Sequence, residues 1–336
     1  MKVDSGLGGG LDEVGARARA LEDAGYDGAF SAETSHDGFL PLAVAATATE
    51  RLELGTSIAV AFARTPMVTA IAANDLQVGT KGRFVLGLGS QIKPHIERRF
   101  SMPWSAPAAR MREYVMAMRA IWSAWHDGTK LDFRGDFYTH TLMTPFFSPG
   151  PSEYGAPKVW LAAVGERMTE VAGEVADGVI VHGFTTERYV REVTIPAIDR
   201  GLAKAGRARA GFEISGPMFV VSGTTEEEME AAKQATKQQI AFYGSTPAYR
   251  PVLELHGWGE VGDELNAMSK RGQWVEMGEL VTDDILDAFA VVAEPGEVAG
   301  RLRARFGGLL DRLSFYMPYR ADGDATKAMV AAIKGG

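Results

Sequence analysis

The stretch from Leu52 to Ser90 constrains the fold of this 336-residue chain more than any other part of the sequence. It contains two short apolar runs rich in β-forming residues, Leu54–Ala61 and Phe84–Leu88. Between them lies a predicted helix, Met67–Val78, and two strands joined by a helix make a right-handed parallel βαβ unit. The apolar residues of that helix recur at helical spacing and are Val68, Ile71, Ala72 and Leu76.

The remainder of the chain repeats this unit. Eight strands, mostly separated by helices, predict an α/β fold of the (β/α)8 TIM-barrel type with insertions. The predicted strands are Lys2–Asp4, Asp27–Ala32, Leu54–Ala61, Phe84–Leu88, Val159–Ala163, Val179–His182, Phe212–Ser222 and Leu313–Tyr316. Two irregular excursions, at about 127–158 and 243–279, interrupt the repeat, and such segments are typical of lids or functional loops. No composition break divides the chain, so we predict one domain over residues 1–336.

A doubly wound open sheet is the alternative architecture. That fold would need a complete glycine-rich phosphate fingerprint after a strand. The sequence Gly87-Leu88-Gly89 lacks the third glycine, because position 92 is Ile. The barrel therefore explains the pattern better.

Composition limits the function classes. The net charge of −8 and the pI of about 5.4 argue against a dedicated nucleic-acid binder. The absence of cysteine excludes disulfides and thiolate chemistry, and with no signal-peptide pattern the expected compartment is the cytoplasm. No apolar run approaches the ~20 residues needed to span a membrane.

Polar residues cluster where predicted strands end. Glu33, Thr34 and His36 follow the second strand, and a carboxylate and an imidazole there could exchange a proton with a substrate. Hydrogen-bonded loop residues are the structural alternative. The fourth strand ends in Gly89-Ser90, which leaves backbone N–H groups with little side-chain cover.

Other candidate groups have weaker patterns. A basic cluster could meet an anionic ligand or form a solvated loop face, and it comprises Lys93, His95, Arg98 and Arg99. Aromatic residues could roof a pocket, although packing onto the barrel is the simpler role, and they are Trp104, Phe133, Phe137, Tyr138, Phe146 and Phe147. The histidines His140, His182 and His256 have no metal-ligand spacing, so no metal site is predicted. Nucleophile-elbow and nucleotide phosphate-loop patterns are also missing.

Several motifs resemble the bacterial-luciferase-like superfamily, and within it the deazaflavin-dependent oxidoreductases most. They are Ala24–Gly28, Ala45–Thr56, Gly82–Gly89, Ala176–Gly178 and Glu294–Val298. Each motif is weak alone, but together they occur in the family's order over nearly the whole chain. Flavin monooxygenases of the superfamily share them.

The resemblance implies coenzyme F420, or alternatively FMN, with its ring against the third strand. It places a non-prolyl cis peptide that backs the ring at Ser57–Ile58. It places the cofactor phosphate on backbone amides after the fourth strand and at the start of the fifth helix, where a helix N-terminus favours anions and Arg167 adds charge. Those positions are Gly89, Ser90, Gln91, Ala163, Val164, Gly165, Glu166 and Arg167. The basic cluster would then be a candidate for the polyglutamate tail of F420.

The sequence also departs from the sugar-phosphate dehydrogenases of this family. In those enzymes a catalytic His follows the acid, whereas here Thr34 follows Glu33 and the first His is His36. Their second acid falls on Ile92. This argues against sugar-phosphate oxidation by that mechanism.

The leading hypothesis is an oxidoreductase that moves a hydride between F420 and a small organic substrate. An FMN-dependent monooxygenase and a non-catalytic flavin- or deazaflavin-binding protein are the alternatives. The expected partners are a small molecule and a second copy of the chain, because dimers are common in the superfamily.

Overall fold

The computed structural model describes residues 1–335, and Gly336, the last residue of the predicted domain, lies outside the described residues. Eight parallel strands close into a barrel in the order β1, β2, β3, β5, β8, β9, β10 and β12, and β12 pairs back onto β1. The strands are β1 (Lys2–Gly6), β2 (Gly28–Ser31), β3 (Glu53–Thr56), β4 (Ala59–Val60), β5 (Phe84–Gly89), β6 (Phe133–Arg134), β7 (Thr139–His140), β8 (Lys158–Ala163), β9 (Gly178–Val181), β10 (Glu213–Val221), β11 (Ala290–Val292) and β12 (Arg312–Tyr316). The predicted (β/α)8 barrel is confirmed.

Helices surround the barrel. They are α1 (Val14–Asp23), α2 (Leu40–Ala48), α3 (Pro66–Gly79), α4 (Pro107–His126), α5 (Glu166–Val175), α6 (Glu187–Tyr189), α7 (Ile195–Lys204), α8 (Glu226–Gly244), α9 (Arg250–Leu255), α10 (Gly259–Lys270), α11 (Asp283–Phe289), α12 (Pro295–Phe306) and α13 (Gly323–Gly335). A π-helical turn at Val190–Thr194 separates α6 from α7, where the sequence pattern indicates one continuous helix.

The second excursion is more regular than predicted. It contains α9 and α10, which end near glycines with positive φ, Gly257 at 80° and Gly272 at 74°. Both helices are short, so their apolar periodicity is hard to recognise in the sequence. The first excursion is irregular except for the β6–β7 hairpin and a 3-10 helical turn at Pro145–Phe147.

The third barrel strand is interrupted. The sequence predicts one run, Leu54–Ala61, but the chain forms β3 and β4 with a turn between them. Residues Ser57 and Ile58 form this turn, and the peptide bond between them is cis, at the position that the family resemblance indicates. β4 pairs with the end of β5, so the chain rejoins the barrel after the turn.

The interior of the barrel carries charges that the sequence did not indicate. The Arg312 guanidinium is fully buried and donates to both carboxylate oxygens of Asp4, at 2.8 and 2.7 Å, and also to Glu53. Burial raises the pKa of Asp4 although Arg312 opposes that rise. Above this layer Phe30 stacks on Trp160, with ring centroids 5.6 Å apart. Ions and aromatic rings therefore fill the interior of the barrel below the cavity at its mouth.

The buried face of α3 matches only part of the apolar face that its sequence suggests: Leu76 is buried as predicted. Thr69, Ala70 and Ala73 are buried, whereas Val68 is 55% exposed and Ile71 is 47% exposed. Small residues allow α3 to lie close to its neighbours, and larger apolar side chains are left on the outside.

Candidate functional site

The carboxyl ends of the strands meet at one mouth of the barrel, and a cavity of about 180 Å³ opens there. Its wall combines the rings of Phe30 and Trp160 with serine side chains from three strands or strand ends, Ser57, Ser215 and Ser314. Ligands of such barrels bind at this mouth. The turn between β3 and β4 reaches the cavity through Ser57.

Close contacts with the neighbouring strands hold that turn. The Ser57 amide donates to the Ser31 carbonyl at 2.6 Å, and the Thr56 hydroxyl donates to the Gly87 carbonyl at 2.7 Å. Ile58 lies against Gly89, where a Cβ atom would come within 2.8 Å of the Ile58 Cδ1. A side chain at position 89 would therefore require Ile58 to shift.

Glu33 lies under the turn rather than free in the mouth. It is 8% exposed, and its Oε2 accepts from the Val60 amide at 2.7 Å and from Arg64 Nη1 at 2.6 Å. Arg64 also contacts Asp37 at 3.2 Å. Burial alone would lower the pKa of Arg64, but the hydrogen bond and charge of Glu33 outweigh burial and raise it.

The other two predicted residues of this loop lie at the surface. Thr34 and His36 are exposed, and the Thr34 carbonyl accepts from the Arg99 guanidinium. The loop thus places the Glu33 side chain in the protein interior and the His36 side chain at the surface. Proton transfer by His36 would require a ligand that reaches the rim.

The predicted phosphate residues lie on two strand ends and one helix start. Gln91 has a left-handed backbone, with φ of 58°, and the Ser90 hydroxyl donates to the Gln91 carbonyl at 3.1 Å. On β8, Ala163 is buried, and α5 begins after Gly165, which has extended backbone and no side-chain cap.

A groove of about 690 Å³ runs along the start of α5. Gly165, Glu166 and Arg167 line it together with Ala106 and Tyr189. Arg167 is exposed there, so its charge is available to an anion in solution. Uncapped N–H groups at a helix start are suited to a phosphate.

The basic cluster belongs to the loop after β5. Lys93 lies 3.8 Å from Glu97, and Arg99 is bound to the Thr34 carbonyl. His95 and Arg98 are exposed. The cluster is therefore partly engaged with the loop that follows β2, which brings these two predicted groups together.

The sequence did not indicate a group of aromatic residues around His182. The His182 ring stacks on Tyr249 and meets Tyr243 edge-on, with centroids 4.5 and 4.7 Å away. The hydroxyls of Tyr243 and Tyr316 lie 2.6 Å apart. These tyrosines come from the second excursion and the last strand, and only the position of His182 after the sixth strand gave a signal.

The contacts of His182 fix its tautomer. Its Nδ1 accepts from the Phe184 amide at 3.0 Å, so the proton lies on Nε2, which is 3.2 Å from the Tyr249 hydroxyl. Burial lowers the pKa of His182 to about 4. A neutral imidazole that donates to Tyr249 leaves the proton of that hydroxyl free for another acceptor.

The remaining candidates serve mainly in packing. Trp104 packs edge-on against Phe62, at 5.7 Å, and Tyr138 against Tyr114, at 5.5 Å. Phe146 is 90% exposed and therefore does not cover a pocket as predicted. His256 bonds the Thr186 hydroxyl at 2.9 Å. Burial lowers the pKa of His140.

Residues 1–335 contain neither a metal-binding cluster nor a helix suited to span a membrane. No group of three or more His, Asp or Glu side chains in this range could hold a metal ion. Among the helices of this same range, none is both long and apolar enough to cross a membrane.

Comparison with known proteins places this architecture in a family. Residues 2–312 match the model of the luciferase-like monooxygenases. An uncharacterized protein of Mycobacterium tuberculosis is 56% identical over 313 residues, which cover 93% of this chain and 92% of that protein. The 5,10-methylenetetrahydromethanopterin reductase of Archaeoglobus fulgidus is 28% identical over 293 residues, 84% of this chain and 83% of that one.

A solved structure shares the fold over the full length. The coenzyme F420 dependent tetrahydromethanopterin reductase of Methanopyrus kandleri superimposes with a TM-score of 0.78 at 20% identity, covering 99% of this chain and 96% of that one. At this identity the likeness concerns the fold alone. With its closed barrel, interrupted third strand and family match over residues 2–312, the chain belongs to the luciferase-like monooxygenase family.

Proposed function

We propose that this protein is an oxidoreductase that transfers a hydride between coenzyme F420 and a small organic substrate. The observation that carries the proposal is the contact of the Ser57–Ile58 turn with Gly89 at the barrel mouth. Two relatives support the choice of cofactor and of reaction type. One is named as a 5,10-methylenetetrahydromethanopterin reductase, and the other, a Mycobacterium tuberculosis protein 28% identical over 292 residues, carries the name "Putative coenzyme F420-dependent oxidoreductase".

The residues present fit such a cofactor. The absence of a side chain at position 89 lets Ile58 pack directly against the backbone of β5, which sets the position of the Ile58 side chain at the barrel mouth. Gly165 leaves the start of α5 uncapped, and Arg167 adds a positive charge beside it. A planar ring and a phosphate on one ligand would satisfy both features.

Each group of residues then has a role in binding. Ser57 and Ile58 would back the ring, while the amides of Gly89, Ser90 and Gln91 and of residues 163–167 would hold the phosphate. When bound, F420 supplies a two-electron hydride carrier, and the chemistry of the transfer is that of the cofactor. The protein would bind, orient and shield the reactants, and the fold alone does not specify the substrate.

Proton transfer needs a group that can exchange a proton with the substrate. Thr34 and His36 lie at the rim and stay candidates. The Tyr249 hydroxyl, whose oxygen faces the Nε2 proton of His182, is a further candidate. The Oε2 of Glu33 is engaged by two donors, so this residue is better suited to positioning.

An FMN-dependent monooxygenase is the second candidate, since the family model bears that name. Equilibrium titration of the purified protein with F420 and with FMN, followed by fluorescence, separates the two. We expect tight F420 binding and weak FMN binding. The opposite preference would favour the monooxygenase, and binding of neither would contradict both. Binding without turnover of any substrate would support the non-catalytic alternative.

A further inference from the structure

We infer that Glu33 is a positioning residue that fixes the cofactor-facing turn between β3 and β4, and that it is not the proton-transfer group. The inference rests on the proposed function, because it assigns Glu33 a role in shaping the surface that the cofactor would contact. Its basis is a set of contacts that join the backbone and the side chain of Glu33 to the chain where the turn leads into β4.

Glu33 forms hydrogen bonds to the turn and to β4 with both its backbone and its side chain. The Glu33 amide donates to the Ile58 carbonyl at 3.1 Å. Its Oε2 accepts from the Val60 amide at 2.7 Å. The two bonds lie on either side of Ala59, so they restrain the chain just before and just after the point where it rejoins the barrel as β4.

Arg64 completes the arrangement. Its Nη1 donates to the same Oε2 at 2.6 Å, and its Nη2 reaches Asp37 at 3.2 Å. The guanidinium also lies over the Phe39 ring, 5.2 Å from its centre. A carboxylate oxygen has about two lone-pair sites, and Val60 and Arg64 engage both on Oε2.

This restraint bears directly on the candidate cofactor surface. Ile58 has its carbonyl held by Glu33 and its side chain against Gly89. If the hydrogen bond from the Val60 amide to the Glu33 carboxylate is lost, the turn can move. The Ile58 side chain can then shift relative to Gly89. The shape of the space beside Gly89 decides how closely a planar ring can approach.

The chain offers a matched control at the opposite end of the same strand. Glu22 accepts from the backbone amides of Glu50, Arg51 and Leu52, at 3.1, 2.5 and 2.8 Å, just before β3 begins. Both residues use a carboxylate to hold backbone N–H groups next to β3. Only Glu33 does so at the mouth of the barrel.

The test compares Glu33→Gln and Glu22→Gln by titration with F420, by melting temperature and by hydrogen exchange at the Val60 amide. For Glu33→Gln we expect F420 affinity to fall about tenfold or more, since a hydrogen bond to a charged group is lost. Faster exchange at Val60 should accompany the loss, with or without F420. For Glu22→Gln we expect a lower melting temperature with unchanged F420 affinity.

Each other outcome decides against the inference. Unchanged F420 affinity and unchanged Val60 exchange in Glu33→Gln would overturn it, as would an equal loss of affinity in both variants. A loss of turnover with normal F420 affinity would restore Glu33 as a proton-transfer residue. If the unaltered protein does not bind F420, the proposed function fails and the inference fails with it, whereas binding that Glu33→Gln leaves intact overturns the inference alone.

Discussion

Ile58 lies so close to Gly89 that a Cβ atom at position 89 would come within 2.8 Å of both its Cδ1 and its Cγ1. Real Cβ atoms do not approach other atoms this closely, so a side chain at position 89 would displace Ile58. We therefore expect Gly89→Ala to weaken F420 binding by about tenfold or more, because overpacking shifts the neighbouring chain. Titration with F420 measures this.

The control for this substitution is Gly79→Ala at the end of α3. A Cβ atom there meets nothing within 4 Å, and Gly79 has no positive φ. We expect unchanged F420 affinity. If Gly89→Ala also binds F420 normally, the cofactor does not use the surface beside Ile58.

The ion group inside the barrel predicts a large loss of stability from one substitution. Arg312→Met would leave Asp4 buried without its partner, and breaking such a pair costs about 3–5 kcal/mol. Arg250→Met breaks contacts with Asp263 at the exposed surface and should cost about 1 kcal/mol or less. Urea unfolding of both variants measures the difference, and equal losses would contradict the structural role of Arg312.

The buried His182 predicts a dependence of stability on pH. Its pKa is lowered from 6.5 to about 4 by burial, so below pH 6.5 the unfolded chain binds a proton that the folded chain does not. Stability should therefore fall by about 3 kcal/mol as the pH drops from 6.5 to 4, and this loss should be present in full below pH 4. His182→Asn should flatten the curve, while the exposed His36→Asn should not. Identical profiles for all three proteins would contradict a buried, neutral His182.

The outer faces of α2 and α3 predict self-association, and we propose that a second copy of the chain covers them. Leu40 is 56% exposed, Val68 55% and Ile71 47%, and these large apolar residues lie on two helices in contact, where an exposed apolar patch would mark an interaction surface. Ile71→Asp should convert a dimer into a monomer in light scattering. Val275→Asp, at an apolar position on the second excursion that is 82% exposed, should leave the dimer intact. A monomeric unaltered protein would contradict the proposal.

The barrel could be predicted because its signals are local. Each strand is a short apolar run, and a helix follows at short distance, so the order of elements fixes the topology. The position of the cis bond at Ser57–Ile58 came from the family resemblance, since local propensity carries no information about it.

The site contacts could not be predicted, because they join residues far apart in the chain. Glu33 and Arg64 are 31 residues apart, and His182 and Tyr249 are 67 apart. The sequence places Glu33 at a strand end, but only the folded chain shows that Arg64 and Val60 both donate to its Oε2. On α3, apolar periodicity correctly indicated that Leu76 is buried, but it wrongly indicated the same for Val68 and Ile71.

The most direct test of the account is hydrogen exchange of the unaltered protein with and without F420. We predict that F420 slows exchange in three separate segments, residues 57–60, 89–91 and 163–168, because these would form its ring and phosphate contacts. Protection confined to other parts of the chain, or protection by FMN but not by F420, would contradict the account.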